Sequence, residues 1–329
     1  MPMNQGLARQ IYFPAPYQAG IRDVQLEPLE PWQARVRTLY SGVSAGSELL
    51  VYHGGLNPSL PLDKSIEGLS QESSFPCAFA YANVGEIEAV GSGLDTALLG
   101  RRVFSFTPHQ DYFHARIEDW QLIPNEVPSE LATLFPNLET ALSIAMDAQV
   151  QVGEKVAVLG LGVLGQLTSR LLTNQWGVEI HGLDRHLNRC EISGLAKTFT
   201  SISEMDHDYH VLVELSGQAQ VLQEGIEHCG THGRIIVGSW YGDQGPGPIL
   251  GTSFHRRRID LVSSQVSEIN PLFSSFLDKK KRFEIVWDIL RKLDLSPLIS
   301  HRIPFVEGPD TYPWLSKQAG SSLQVCFEY

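Results

Sequence analysis

Three glycines, Gly160, Gly162 and Gly165, interrupt the apolar run KVAVLGLGVLGQL at residues 155–167. The G-x-G-x-x-G spacing follows an apolar strand and opens an amphipathic helix, the context a dinucleotide requires. Gly160 permits a tight turn, Gly162 removes the Cβ that would keep a pyrophosphate off the backbone, and Gly165 lets helix pack on strand. Val163, Leu164 and Gly165, at the start of that helix, would turn free amides and a positive dipole end toward the phosphates. Asp184 closes the next apolar run, VEIHGLD, about 20 positions on, where a carboxylate binds the ribose hydroxyls and repels a 2′-phosphate. Arg185 and Arg189 follow it and would attract such a phosphate. The pattern predicts a site for NAD, with NADP as the other option.

Those residues need a frame. Around the glycines, KVAVLG, VEIHGLD (178–184), HVLVELSG (210–217), GRIIVGSWYG (233–242) and RIDLVSSQV (258–266) read as strands. GQLTSRLLTNQW and QAQVLQEGIEHC read as helices between them. Such alternation predicts a parallel, doubly wound sheet. Residues 1 to 125 read differently. WQARVRTLYSGVSA (32–45), AYANVGEIEAVG (80–91), LGRRVFSF (99–106) and DYFHARIEDWQLIP (111–124) are short runs between Gly and Pro, which predicts a barrel-like β domain. AYANVGEIEAVG reads as a strand pair broken at Gly85, and each of the last two runs as one strand. The polar segment 53–75 reads as a long loop, a lid or site wall. SELATLFPNLETALSIAMDAQV (129–150) has helical spacing with Ser129 as N-cap. FEIVWDILRKL (283–293) reads as a helix and LISHRIPF (298–305) as a strand.

Composition narrows the partners. The 329 residues carry a formal net charge of −12, against the surplus of Lys and Arg that nucleic acid demands. HRRR (255–258) reads mainly as surface charge, with an anionic substrate or cofactor phosphates as the other option. DKKKR (278–282) reads as the solvated start of a helix. Cys77, Cys190, Cys229 and Cys326 form no CxxC pair and read as free thiols in a reducing compartment. No run approaches the roughly 18 apolar residues of a membrane span, and no signal peptide is visible. The expectation is a soluble cytoplasmic protein with a small-molecule substrate and neither nucleic-acid nor membrane partner.

SGVSAGSE (41–48), VGEIEAVG (84–91), LGRRVFSF, VGEKVAVLGLGVLGQL (152–167) and LISHRIPF together resemble the medium-chain dehydrogenase/reductase superfamily over nearly the whole chain. SWYG and FHRRRIDLVSSQVS resemble, within it, the group around bacteriochlorophyllide dehydrogenase and threonine-dehydrogenase-like proteins. The resemblance implies an α/β fold, a Rossmann doubly wound parallel sheet plus a GroES-like β-barrel catalytic domain. It implies a catalytic domain over 1–136, a dinucleotide-binding domain over 137–270 and a return to the catalytic domain over 271–329. It implies Thr140 behind the nicotinamide, Ser216 and Gly217 near the adenosine or its ribose, and backbone at Ser239 and Trp240 on the carboxamide. Trp240 and Tyr241 would then face a bulky or planar substrate. The edge strand LVSSQVS implies a homodimer.

The informative departure from that family is zinc. Zinc-using members take a Cys from C-G-T-D, a His-Glu pair from G-H-E, and a further Cys or acid. Here those positions hold Ala45 (or Ser44), Tyr81 with Ala82, and a residue near Pro136. Zinc takes thiolate, imidazole or carboxylate ligands, so no metal is expected; a site rebuilt from His53, Glu48 and His109 is the alternative. Hydroxyl donors would then steady the oxygen that gains charge as hydride arrives. Tyr81 is the donor, or a filler of the volume a metal would occupy. Ser47 matches the proton-relaying Ser/Thr of metal-dependent relatives, or caps a turn. Glu48 orients the network, binds the cofactor or makes a buried structural bond. His53 and His109 read as surface imidazoles or proton shuttles. The implied activity is zinc-independent, NAD(P)-dependent interconversion of alcohol and ketone. An enone reductase of quinone-reductase type and a non-catalytic nucleotide-binding sensor or scaffold are the alternatives.

Overall fold

The computed structural model describes residues 6–55, 74–173, 177–242, 247–318, 320 and 322–329. Most of the loop expected over 53–75 lies outside the described residues, as do the last three residues of the helix expected over 165–176. The chain forms two compact units, Met1–Pro136 with Trp287–Tyr329, and Asn137–Val286.

In the first unit an antiparallel ribbon, β1 (Leu7–Tyr12) and β2 (Gly20–Gln25), precedes β3 (Gln33–Val43). Helix α1 (Ala45–Tyr52) follows β3 directly. Then come β4 (Asn83–Val90), β5 (Arg102–Ser105), β6 (Tyr112–Arg116) and β7 (Trp120–Leu122). Helices α2 (Ser129–Ala132) and α3 (Phe135–Asp147) carry the chain onward. Side chains on one face of these strands, among them Ala34, Val36, Ile87, Val103, Phe113 and Ala115, form one apolar cluster, as a period of two requires.

Three local readings are corrected here. β4 is one strand, and Gly85 marks a close approach. A Cβ there would lie 2.4 Å from Val36 Cγ1 and 2.5 Å from Arg37 O, the usual reason for glycine inside a strand. DYFHARIEDWQLIP is two strands separated by a 3-10 turn, Ile117–Asp119. Ser129 is the first residue of α2, with Pro128 at the N-cap; its hydroxyl instead accepts from Arg102 Nη1 at 3.1 Å.

The second unit continues with β8 (Lys155–Leu159), α4 (Val163–Thr173), β9 (Glu179–Leu183), α5 (Leu187–Ser193) and β10 (Lys197–Phe199). It then adds β11 (Tyr209–Glu214), α6 (Ala219–His228), β12 (Cys229–Val237), α7 (Ser253–Arg257) and β13 (Asp260–Ser263). Helix α8 (Lys279–Lys292) carries the chain past residue 286, so the second boundary falls inside a helix and not at 270. The strands pair in parallel in the order β10-β9-β8-β11-β12-β13. The order reverses at β8, and an open sheet leaves a ligand crevice at such a point. Val156 and Val158 join one apolar layer, Ala157 and Leu159 the other. Cover on both faces explains why these strands read as unbroken apolar runs.

His255, Arg256 and Arg258 of HRRR are exposed, as surface charge should be, and DKKKR does open a helix, with Arg282 as the exception. Arg257 Nη1 donates to Glu227 O and Cys229 O at 2.8 Å, so one arginine of HRRR caps α6. Arg282 of DKKKR is 2% exposed. Its Nη2 meets Glu139 Oε1 at 2.5 Å and Val266 O at 2.7 Å, a buried ion pair and not a solvated charge.

Finally β14 (Ile299–Pro304), α9 (Gly308–Gln318) and β15 (Gln324–Glu328) return to the first unit. They complete a mixed sheet of order β14-β15-β3-β4-β5-β7, with β6 on β3. All four cysteines are free. Among the described residues no helix is long and apolar enough to cross a membrane.

Candidate active site

The second unit builds the glycine turn. Gly160 has φ +99°, and a Cβ there would sit 2.7 Å from the backbone of Leu215 and Ser216 after β11. Only glycine tolerates both conditions. A Cβ on Gly165 would lie 1.9 Å from Gly160 O, whereas one on Gly162 would meet nothing nearer than Arg189 Nη1 at 3.9 Å. Gly162 therefore leaves its backbone open on the side where a phosphate would approach. The first helical bond of α4 runs from Gln166 N–H to Gly162 O at 2.8 Å, so the amides of Val163, Leu164 and Gly165 have no helical acceptor.

Asp184 is 7% exposed and turns into this loop. Its Oδ2 accepts from Leu161 N–H at 2.9 Å, with Arg189 Nη1 at 3.4 Å, and its Oδ1 accepts from His186 N–H at 2.9 Å. A carboxylate has about four lone-pair sites, so a ribose hydroxyl would join partners already present. Arg185 is exposed, and its Nε donates to His186 Nε2 at 3.1 Å. Gln166, a residue the motif does not flag, is fully buried. Its amide donates to Leu161 O and Arg189 O at 3.1 and 2.7 Å, tying the loop to α5.

At the end of β11, Glu214 ties down Ser216 and Tyr241. It is fully buried and accepts from Ser216 N–H at 2.8 Å, from the Ser216 hydroxyl and from the Tyr241 hydroxyl. Burial first, then the Glu214 carboxylate, hold the Tyr241 phenol protonated well above its usual range. Tyr241 is thereby tied down, while Trp240 beside it is 48% exposed. Ser239 Oγ accepts from Gly217 N–H at 2.9 Å. Thr140 lies half-buried on α3.

The first unit brings together Tyr81, Ser44, Ser47 and Glu48. Gly42 N–H donates to Ala82 O at 2.8 Å, which runs the end of β3 alongside residues 81–83. The chain turns at Ser44 into α1, and the Tyr81 hydroxyl meets Ser44 Oγ and, at 3.1 Å, Ser47 Oγ. Glu48 is fully buried. Its Oε1 accepts from Ser44 N–H at 2.7 Å, and its Oε2 faces His109 Nε2 at 3.1 Å and accepts from Tyr312 O–H at 2.8 Å. Burial pushes the Tyr81 phenol up, the two serine bonds pull it down, and the Glu48 charge pushes it up again. His109 is 1% exposed, so the surface reading is corrected for it. His53 does not join this cluster. Its Nε2 bonds Ser316 Oγ at 2.8 Å and its ring lies against Tyr17; burial lowers its pKa. Sequence reading missed Tyr312, Ser41 and Tyr329, since nothing local marks them.

The donor set suits hydroxyl chemistry. Ala45 offers no metal ligand. In the rebuilt set, Glu48 and His109 bond each other while His53 turns to Ser316. Among the described residues no three His, Cys, Asp or Glu side chains gather as a metal site. The glycine turn, by contrast, fits a dinucleotide at each backbone position.

No protein-family model matches the chain. D-guloside 3-dehydrogenase of Escherichia coli is 25% identical over 252 residues, 70% of this chain and 71% of that protein. A solved short chain alcohol dehydrogenase of Escherichia coli, complexed with NADH, gives a TM-score of 0.78 at 18% identity, covering 98% of this chain and 100% of that one. A structure described as a zinc-binding dehydrogenase of Sinorhizobium meliloti, bound to NADP, gives 0.77 at 15% identity over 99% and 100%.

Proposed function

We propose that this chain is an NAD(P)-dependent oxidoreductase of the medium-chain dehydrogenase/reductase superfamily, a reading supported by its dehydrogenase relative and by the shared fold. It interconverts a secondary alcohol and a ketone without zinc. The observation that carries this reading is the Tyr81 phenol with two serine hydroxyls on it, at the position that the family resemblance assigns to a zinc-binding histidine. Its substrate is a ring-sized polyol or glycoside, the class suggested by the guloside-oxidising relative. The exposed Trp240 ring supports a bulky substrate.

The amides of Val163, Leu164 and Gly165 would hold the pyrophosphate, and Asp184 the adenosine ribose, which favours NAD over NADP. The nicotinamide, when bound, supplies or takes the hydride. Tyr81 donates a hydrogen bond to the substrate oxygen as it gains negative charge, and passes its proton there in the reducing direction. Ser44 and Ser47 orient the phenol and return a proton to it. In the oxidising direction the relay runs the other way: Tyr81 accepts the alcohol proton as its own passes to Ser44 or Ser47, whose proton leaves to water at these half-buried serines; in the reducing direction water supplies it. Edge strand β13, with Leu261 38% exposed, supports a homodimer, and the four free thiols support a reducing, cytoplasmic setting.

The test is cofactor fluorescence together with turnover on alcohol, ketone and enone panels. NADH binding with turnover of polyols or their ketones is expected. Binding without any turnover would leave a sensor or scaffold, turnover of enones alone would leave a C=C reductase, and no binding would end the reading.

A further inference from the structure

We propose that Glu48 is the positioning residue of this site, clamped by His109 and Tyr312. It holds Ser44, at the turn into the helix that carries Ser47, against the Tyr81 hydroxyl. The proposal rests on the reading of Tyr81 as donor.

Three donors from three segments converge on the buried carboxylate: the Ser44 amide at the head of α1, the His109 imidazole from the loop after β5, and the Tyr312 hydroxyl on α9. A buried carboxylate is tolerated only when its oxygens are satisfied in this way. His109 is oriented in turn, because its Nδ1 meets Ser41 Oγ at 2.7 Å and Ser41 Oγ meets Tyr329 OH at 2.8 Å. The run Tyr329–Ser41–His109–Glu48 thus braces one oxygen from the far side. Ser44 is the shared residue. Its amide donates to Glu48 and its hydroxyl meets Tyr81. Ser47, one position before Glu48 on α1, carries the second contact. Displacing the Glu48 carboxylate therefore frees the Ser44 amide, and with it the hydroxyl that Ser44 turns to Tyr81.

The charges act in the same sense. The polar groups on Tyr81 are Ser44, Ser47 and Glu48. Those on Glu48 are His109, Tyr312 and the Ser44 amide, with Tyr329 behind His109 and Asp111 acting on Tyr329. Asp111 is paired in turn with Arg9, Nε to Oδ2 at 2.9 Å.

Glu48→Gln keeps the size of the side chain and removes its charge. The first readout needs no substrate: an alkaline titration of tyrosinate absorbance, taken as the difference between each protein and its Tyr81→Phe counterpart. Tyr81 is expected to ionise at lower pH in Glu48→Gln, which keeps the reach to the Ser44 amide, than in the parent; Glu48→Asp, which keeps the charge but draws it back from Ser44, should not share that downward shift. The second readout is kinetic. Tyr312→Phe and His109→Ala should lower kcat about fivefold, the loss of one hydrogen bond, with cofactor KM unchanged; His109→Gln, which keeps a donor toward Glu48, should recover part of it. These two variants carry the test if Glu48→Gln does not fold. An unchanged Tyr81 titration in Glu48→Gln, or full kcat in both His109→Ala and Tyr312→Phe, overturns the proposal. A shifted titration combined with full turnover in Tyr81→Phe would sink the donor reading and leave the electrostatic coupling standing.

Discussion

The two halves of the candidate chemistry are built in opposite ways. The turn in the second unit works by what its residues lack. Gly160 and Gly165 have no Cβ to strike Leu215 and Gly160 O, and Gly162 leaves backbone open. The cluster in the first unit works by what its side chains carry, and draws on Ser44, Glu48, Tyr81, His109 and Tyr312. The turn is local and its tolerances are steric. The cluster is long-range and its tolerances are those of hydrogen bonds. Mutations should therefore break the turn through stability and cofactor binding, and the cluster through turnover with binding intact.

The largest effect is expected at Gly165. A methyl group there, 1.9 Å from Gly160 O, forces backbone to move, and Gly165→Ala should cost roughly 3 kcal/mol. Denaturant unfolding measures this, with loss of NADH binding alongside. Next, Tyr81→Phe should lower kcat about 100-fold, the low end for a general acid, while the NADH dissociation constant stays put. A fall in binding instead would erase the contrast between the two regions. Asp184→Ala should weaken NADH about tenfold, as loss of a charged acceptor does, and narrow the preference over NADPH; titration with both cofactors reads it. The smallest effect sharpens the stability side. Lys197 and Lys155, at 2.5 and 3.0 Å, hold the Asp206 carboxyl down to about 2 from 3.8. A depressed carboxyl stabilises the fold fully above its unfolded value and loses that contribution as pH falls toward the folded one. Unfolding midpoints should therefore drop between about pH 4 and 2, less steeply in Asp206→Asn, with no change in Tyr81-dependent turnover near neutrality.

The same contrast explains what was legible. The glycine spacing, the alternation of strands and helices, and the place of Asp184 are local patterns, and period and turn chemistry read them directly. β10 escaped because three residues, KTF, carry no period. Gly85 misled because a close approach and a strand break look alike in one dimension. Arg282 misled because DKKKR looks solvated until Glu139, far back in the chain, is brought to it. In the first unit Tyr81, Ser47 and Glu48 were legible by position, and the structure places them together. His109 was legible as a shuttle or a metal ligand, but not its direct bond to Glu48; Tyr312, Ser41 and Tyr329 were not legible, since tertiary folding alone brings His109 and Tyr312 to one carboxylate and sets Ser41 and Tyr329 behind His109. His53 shows the converse, a plausible residue type whose hydrogen bond goes to Ser316.

The central claim is that a protein hydroxyl, not a metal ion, steadies the reacting oxygen. Metal analysis of the active enzyme before and after chelation, with turnover followed in the same samples, tests it most directly. The account predicts zinc well below one ion per chain and turnover that survives the chelator. Stoichiometric zinc whose removal abolishes turnover, and whose return restores it, would contradict the account.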